Sequence, residues 1–200
     1  RMGASRFPGK PLFNILGLPM IEHVRRRVLL SEAIDDVYVA TCDDEIMDAV
    51  KKFGGKAIMT ANTHERCTER GEEAARNIDA DIIAIMQGDE PLFDPEVLVP
   101  LIEPLLSDNN IFCTSLVSII SNRKDLDDID IVKTVINNAH EVMYFSRSPI
   151  PYFRVNNIAV CYRQTGISAF TKKSLSDYVK LSPTPLEIAE SVDFLRILQH

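Results

Sequence analysis

The sequence lacks an excess of basic residues: 22 Lys and Arg stand against 29 Asp and Glu, for a formal net charge of -7. A general nucleic-acid binder needs a basic face for phosphate contacts, so this composition argues against that class. No apolar run approaches the length of a membrane span, and the first residues do not resemble a signal peptide. A small anionic ligand is still compatible with this composition, because a local group of Arg and Lys can form a positive pocket on an acidic protein.

The sequence also lacks metal-type cysteine spacing. Its four cysteines are Cys42, Cys67, Cys113 and Cys161. They form no C-x-x-C pair and no Cys/His pattern of the zinc type. We therefore expect reduced thiols and a cytoplasmic protein.

Strands and helices alternate in the first half of the chain. The predicted strands are 36–41, 56–59 and 81–86, and the predicted helices are 44–53, 68–77 and 95–106. After Asp81, the strand 81–86 is continuously apolar, which is typical of a central parallel strand. This alternation predicts a layered α/β fold with right-handed crossovers.

The second half is richer in strands. The predicted strands are 112–120, 132–136, 141–145 and 158–162, and the predicted helices are 172–179 and 185–198. We expect a single domain over residues 1–200, with a small lobe of mixed strands at approximately 123–165.

The first ten residues combine Gly3, Ser5, Arg6, Gly9 and Lys10. Glycines let backbone N–H groups approach an anion, and Arg and Lys add charge-assisted bonds to phosphate oxygens. The spacing matches neither a P-loop nor a dinucleotide-binding loop. The composition predicts a polyphosphate site, and the alternative is a flexible basic arm.

A second polar run, QGDEP, occupies residues 87–91 at the carboxyl end of the predicted strand 81–86. Ligands of open α/β sheets bind beyond such strand ends, and a carboxylate there can hold Mg²⁺ together with substrate phosphates. A plain strand-to-helix turn would explain the run by itself. Together with the basic glycine loop, the run favours a metal site at Asp89.

Several motifs resemble one known family. The segments 3–12 (GASRFPGKPL) and 17–24 (GLPMIEHV) resemble the opening of the CMP-Kdo synthetases, the 3-deoxy-manno-octulosonate cytidylyltransferases. The similarity continues in family order through 39–41 (VAT), 64–70 (HERCTER), 87–91 (QGDEP), 132–133 (VK), 144–147 (YFSR), 150–151 (IP) and 182–187 (SPTPLE). It covers nearly the whole chain, and its motifs are specific in combination.

The resemblance implies a three-layer α/β/α Rossmann-like nucleotidyltransferase fold with a mixed sheet. It implies transfer of CMP from CTP to an acidic sugar, with release of pyrophosphate. The implied nucleotide-binding residues are Gly3, Ala4, Ser5, Arg6, Lys10, Thr68 and Gln87. Arg6, Lys10 and Asp89 are the implied catalytic residues, and Asp89 is the implied magnesium ligand.

The resemblance further implies an acidic-sugar pocket formed by Gln87, Arg147, Gln164 and Glu190. It implies a homodimer that forms through the mixed-strand lobe. Gln164 stands where the family has a histidine, and a glutamine can hydrogen-bond hydroxyls but cannot carry a charge. The sugar preferred by this chain therefore stays open between Kdo and another acidic sugar.

Two further departures bear on activity. The family's S-G pair is replaced by Arg66 and Cys67 in the base-binding loop, and the second metal-binding aspartate of the family falls in a V-D-T-P-E-D-L segment that follows the residues of this sequence. Three hypotheses follow: an active cytidylyltransferase, a catalytically impaired nucleotide-binding relative, and a related nucleotidyltransferase for another acidic or spore-coat sugar.

Overall fold

The computed structural model describes residues 2–3, 7–155 and 160–200. It divides into two compact units. The first unit comprises residues 1–114 and 168–176, and the second comprises residues 115–167 and 177–200. Each unit is described separately below.

The first unit opens with a short 3-10 helix at Lys10–Leu12 and a hairpin of β1 (Asn14–Ile15) and β2 (Leu18–Pro19). Gly17 lies at φ 91° in the hairpin turn, where a side chain would be strained, and its N–H donates to Asn14 Oδ1. Helix α1 (Met20–Val28) follows directly.

A parallel strand–helix–strand unit comes next. Strands β3 (Tyr38–Thr41) and β4 (Lys56–Met59) pair in parallel, and α2 (Asp44–Lys52) connects them. Ile21, Ile46 and Val50 form a buried cluster between α1 and α2, against which Met2, Leu12, Val39 and Ala57 pack. This cluster supports the start of the chain, because Met2 belongs to it.

The rest of the first unit contains α3 (Cys67–Ala75), β5 (Ile82–Ile85), a 3-10 turn at Pro95–Val97 and α4 (Leu98–Ser107). The predicted helices and strands of the first half are therefore confirmed, with ends that differ by at most three residues.

The second half contains β6 (Cys113–Ile119), α5 (Arg123–Asp127), β7 (Lys133–Ile136), β8 (Val142–Ser146) and β9 (Tyr162–Thr171), followed by α6 (Lys172–Tyr178), α7 (Pro185–Glu190) and α8 (Leu195–Gln199). In the second unit, β7 pairs antiparallel with β8 and with the first residues of β9. The last residues of β9 belong to the first unit.

Three expectations need correction. Strand β5 pairs antiparallel with the end of β9, from Ile82 opposite Thr171 to Ile85 opposite Ser168, so the parallel pairing expected for it is wrong at this neighbour. The strand predicted at 158–162 occupies 162–171 instead, and residues 158–159 lie outside the described residues. The first residues of this strand are mostly polar, so the pattern of apolar residues did not reveal it. The helix predicted at 185–198 is two helices, because Ser191 adopts φ 53° and ends α7.

The architecture is the predicted mixed α/β type, with both parallel and antiparallel strand pairs. None of the helices in the described ranges combines the length and the apolar character that crossing a bilayer requires.

Candidate active site

Met2 connects the two described ends of the loop at the start of the chain, because it bonds both to Asp43 and to Gly9. The Met2 N–H donates to Asp43 Oδ2 at 3.0 Å, and the Met2 carbonyl accepts from the Gly9 N–H at 2.8 Å. The Met2 side chain packs against the buried cluster of α1 and α2. These contacts attach the two ends of the loop to the core of the first unit.

Gly9 and Lys10 make the turn out of this loop. Gly9 adopts φ 74° and precedes the 3-10 helix, a left-handed conformation that glycine adopts at little cost. The Lys10 ammonium nitrogen then lies 2.7 Å from Asp89 Oδ2. The end of the basic loop and the acid after β5 therefore meet in one place.

Asp89 is presented by a close contact between the QGDEP loop and α1. A Cβ atom added to Gly88 would lie 2.7 Å from Ile21 Cδ1, closer than real Cβ atoms come, so a larger residue here would require the tip of the Ile21 side chain to shift. Arg27 Nε also donates to the Phe93 carbonyl, which ties the segment after QGDEP to the same helix. Sequence reasoning did not identify Ile21 or Arg27 as supports.

The Lys10–Asp89 ion pair is open to solvent. Its side chains are 37% and 40% exposed. An exposed pair of this kind contributes only about 0–1 kcal/mol, because water screens it. The two side chains can therefore separate at small cost.

The 60–64 segment after β4 is clamped by α3. Arg70 Nη1 donates to Thr60 Oγ1, while Glu73 accepts from the Ala61 N–H at 3.1 Å and from His64 Nε2. The hydrogen bond from His64, and then that from the Ala61 amide, hold the pKa of Glu73 below its ordinary value. Glu73 has no motif of its own, so no sequence signal pointed to it.

In the second unit, Arg147 and Glu190 bind each other. The Arg147 backbone N–H donates to Glu190 Oε2 at 2.8 Å, and its Nε donates to the Glu190 carbonyl at 2.6 Å. Ser146 Oγ donates to Glu190 Oε1 at 2.9 Å, and Arg147 Nη1 donates to the Ile129 carbonyl. Arg147 therefore closes the C-terminal end of α7, where carbonyl groups lack helical partners.

Lys133 supports this cluster from the interior of the second unit. Its side chain is fully buried, and its ammonium donates to the carbonyls of Asp128, Ile131 and Arg147. Burial lowers the pKa of Lys133, because the charged form loses its hydration.

Comparison with known proteins identifies the family. The family model for cytidylyltransferases matches residues 1–200. The chain is 39% identical to a 3-deoxy-manno-octulosonate cytidylyltransferase of Geobacter metallireducens, over 100% of this chain and 83% of that protein. It is 40% identical to the enzyme of the same name from Escherichia coli, over 99% and 80%. This chain belongs to the 3-deoxy-manno-octulosonate cytidylyltransferase family.

A solved structure agrees with this family assignment. The chain resembles a CMP:2-keto-3-deoxy-manno-octonic acid synthetase that was solved in complex with CTP, with a TM-score of 0.93 and 39% identity. The match covers 99% of this chain and 82% of that one. The cytidylyltransferase family recognised from the motifs and the nucleotidyltransferase fold expected with it are confirmed.

The site residues predicted from the cytidylyltransferase family are divided between the two units. Gly3, Lys10, Thr68, Gln87 and Asp89 belong to the first unit. Gln87 is exposed just after β5, whereas Thr68 is only 1% exposed in the first turn of α3. The predictions at Ala4, Ser5 and Arg6 lie outside the described residues.

The residues predicted to bind the sugar, apart from Gln87, belong to the second unit. Arg147 and Glu190 lie together in the cluster described above. Gln164 is half-buried on β9, and its backbone N–H donates to the Val132 carbonyl. Their assignment to the sugar stays a prediction.

Proposed function

We propose that this chain transfers the cytidylyl group from CTP to an acidic sugar of the Kdo type, releasing pyrophosphate and forming a CMP-sugar. The observation that carries the proposal is the meeting of Lys10 and Asp89 beyond β5, 79 positions apart in the sequence, in motifs of the cytidylyltransferase family. A cation and a carboxylate at that position suit a nucleoside triphosphate accompanied by a divalent metal.

The reaction requires in-line attack of the sugar's anomeric hydroxyl oxygen on the α-phosphorus of CTP. The bond from that phosphorus to the bridging oxygen breaks, pyrophosphate leaves, and the hydroxyl proton is released. Such a reaction asks the protein mainly for positioning and for neutralising charge, without a covalent protein intermediate. Lys10, after leaving Asp89, would hold the phosphates, and Arg6 is predicted to share that role.

We propose Mg²⁺ as the metal and Asp89 as its protein ligand. Within the described ranges, no three His, Cys, Asp or Glu side chains are grouped as a metal site. A single carboxylate such as that of Asp89 suits Mg²⁺, because this ion binds through one or two carboxylates and takes its remaining ligands from phosphates and water. When bound, it would supply positive charge to the phosphate oxygens.

The second unit is proposed to receive the sugar. Arg147 donates three side-chain hydrogen bonds to carbonyls, which leaves two of its five N–H groups for a carboxylate. Gln164 offers a neutral amide where the family has a histidine, so it would bind a hydroxyl by hydrogen bonding alone. We expect this position to influence which acidic sugar is preferred.

The test is pyrophosphate release by the full-length protein with CTP, Mg²⁺ and a panel of acidic sugars that includes Kdo. We expect release with CTP and an acidic sugar together, and a rate at least roughly 100-fold lower in Asp89→Asn, because a charged ligand of the phosphate-bound metal is lost. Asp94→Asn is the matched control in the same loop, since an asparagine can still accept from the Glu96 N–H. Binding of CTP without pyrophosphate release with any sugar would favour the impaired relative instead.

We also propose that two copies pair through the second unit. Large apolar side chains there are exposed: Ile119, Ile129, Met143 and Ile188 are each more than 60% exposed. Light scattering on the eluting protein should give a dimer mass, and Met143→Lys should shift it toward the monomer. Leu106→Lys in the first unit is the control, and a monomeric wild type at micromolar concentration would contradict this proposal.

A further inference from the structure

Asp43 stands at the N-cap position of α2 but does not cap the helix with its side chain. An aspartate is favoured at this position because its carboxylate accepts hydrogen bonds from the first helical N–H groups. Here only the backbone carbonyl of Asp43 does so, from Ile46 and Met47. The carboxylate instead accepts from the Met2 N–H at 3.0 Å, 41 positions away.

The structure around Asp43 holds its carboxylate in place. The Asp43 N–H donates to Thr41 Oγ1 at 3.1 Å, and Thr41 is only 4% exposed at the end of β3. Asp43 therefore sits at the junction of a paired strand and a packed helix. A side chain on such a junction is a fixed point to which a loop can be attached.

Two hydrogen bonds connect Asp43 with Gly9, the residue before Lys10. The Met2 N–H donates to the Asp43 carboxylate, and the Met2 carbonyl accepts from the Gly9 N–H at 2.8 Å. Lys10 follows Gly9 and reaches Asp89. The contact from Asp43 thus holds both described ends of the loop against the core, one residue before the predicted phosphate-binding lysine.

We infer that Asp43 is a positioning residue for the triphosphate loop. It does not touch the nucleotide; it keeps the loop ends closed, so that less conformational freedom is lost when CTP binds. The predicted effect of Asp43 on CTP binding rests on the proposed function. The anchoring of Gly9 can be measured without turnover.

The experiment compares Asp43→Ser with Asp43→Asn. Serine can cap α2 but is too short to reach Met2, whereas asparagine keeps an oxygen that accepts from the Met2 N–H. We expect hydrogen exchange at the Gly9 amide to accelerate roughly 10-fold or more in Asp43→Ser, and KM for CTP to rise about 10-fold. KM for the sugar should change less than roughly two-fold, and Asp43→Asn should stay close to the wild type in both measurements.

Asp44→Asn is the control for charge, because it removes the same charge from the first turn of α2. Unchanged Gly9 exchange in Asp43→Ser would overturn the inference. So would an equal rise in KM in Asp43→Asn or Asp44→Asn, which would point to charge alone. If Asp43→Ser does not fold, Asp43→Gly replaces it, since glycine is accepted at N-caps.

The two proposals fail in distinguishable ways. A wild type that releases no pyrophosphate with any acidic sugar would remove the proposed function. Accelerated Gly9 exchange in Asp43→Ser would still support the anchor in that case, because exchange reports the loop and not the reaction.

Discussion

At the scale of single residues, burial decides which ion pairs can take part in binding. Glu22 is only 1% exposed and is held by Arg25 and Arg26 on α1, so breaking that pair would leave a buried charge without a partner. Lys10 and Asp89 form an equally short pair that water reaches. Of these two pairs, the exposed one can separate at the lower cost, as the proposed binding of a triphosphate with a metal would require.

Glu73 gives a pH-dependent prediction at the same scale. Its pKa is lowered in the folded state by His64 and the Ala61 amide, so it stabilises the fold above its ordinary value of 4.5. That stabilisation should disappear as the pH falls below 4.5 toward the lowered pKa. In urea unfolding, the wild type should lose more stability between pH 7 and about pH 3 than Glu73→Gln does.

At pH 7, Glu73→Gln should itself lower the free energy of unfolding by about 1–2 kcal/mol, because hydrogen bonds to a charged acceptor are replaced by weaker ones. Glu65→Gln is the control, since Glu65 is an exposed glutamate of the segment that leads into α3. Parallel pH curves for the wild type and Glu73→Gln would contradict the prediction.

At the scale of elements, α1 determines where the loop after β5 can lie. A Cβ on Gly88 would displace the tip of the Ile21 side chain, and Ile21 belongs to the buried cluster. The loop that carries Asp89 is therefore positioned by a helix that precedes it by more than 60 residues. Gly71 on α3 makes a similarly close contact with β5, since an added Cβ would lie 2.9 Å from Ile85 Cδ1.

This contact predicts a specific rescue. Gly88→Ala should cost about 1 kcal/mol of stability, the low end for overpacking, because the tip of Ile21 has to shift, and it should lower kcat, because Asp89 is displaced. Ile21→Val deletes the Cδ1 atom that the new Cβ would meet, at a cost of about 0.5–1.5 kcal/mol. The double variant should therefore recover kcat and be more stable than the sum of the single effects predicts. Strictly additive losses, measured by urea unfolding and steady-state kinetics, would rule out the contact.

At the scale of the whole molecule, an overall charge of -7 has to coexist with an anionic nucleotide. In the first unit, Lys10, the predicted phosphate-binding lysine, lies beside Asp89 in a position open to solvent, and a local cation of this kind can attract an anion to an acidic protein. The chain also separates its predicted tasks, since the residues predicted for the nucleotide belong to the first unit. Apart from Gln87, those predicted for the sugar belong to the second.

The sequence alone predicted the elements of the first half and the residues of the candidate site. Apolar periodicity is a local signal, so β3, β4, α2 and α3 could be predicted from short windows. Glycine, basic and acidic residues at Gly9, Lys10 and Asp89 pointed to phosphate chemistry for the same reason. The polar start of β9 and the left-handed Ser191 interrupted those local patterns, and the predictions failed there.

The tertiary structure alone decided which distant residues meet. The Lys10–Asp89 pair, the Asp43–Met2 hydrogen bond and the antiparallel pairing of β5 with β9 each join residues far apart in the chain. Such contacts depend on how buried surfaces such as those of Ile21 and Met2 pack, and close packing is a property of the folded chain that no short window of sequence contains.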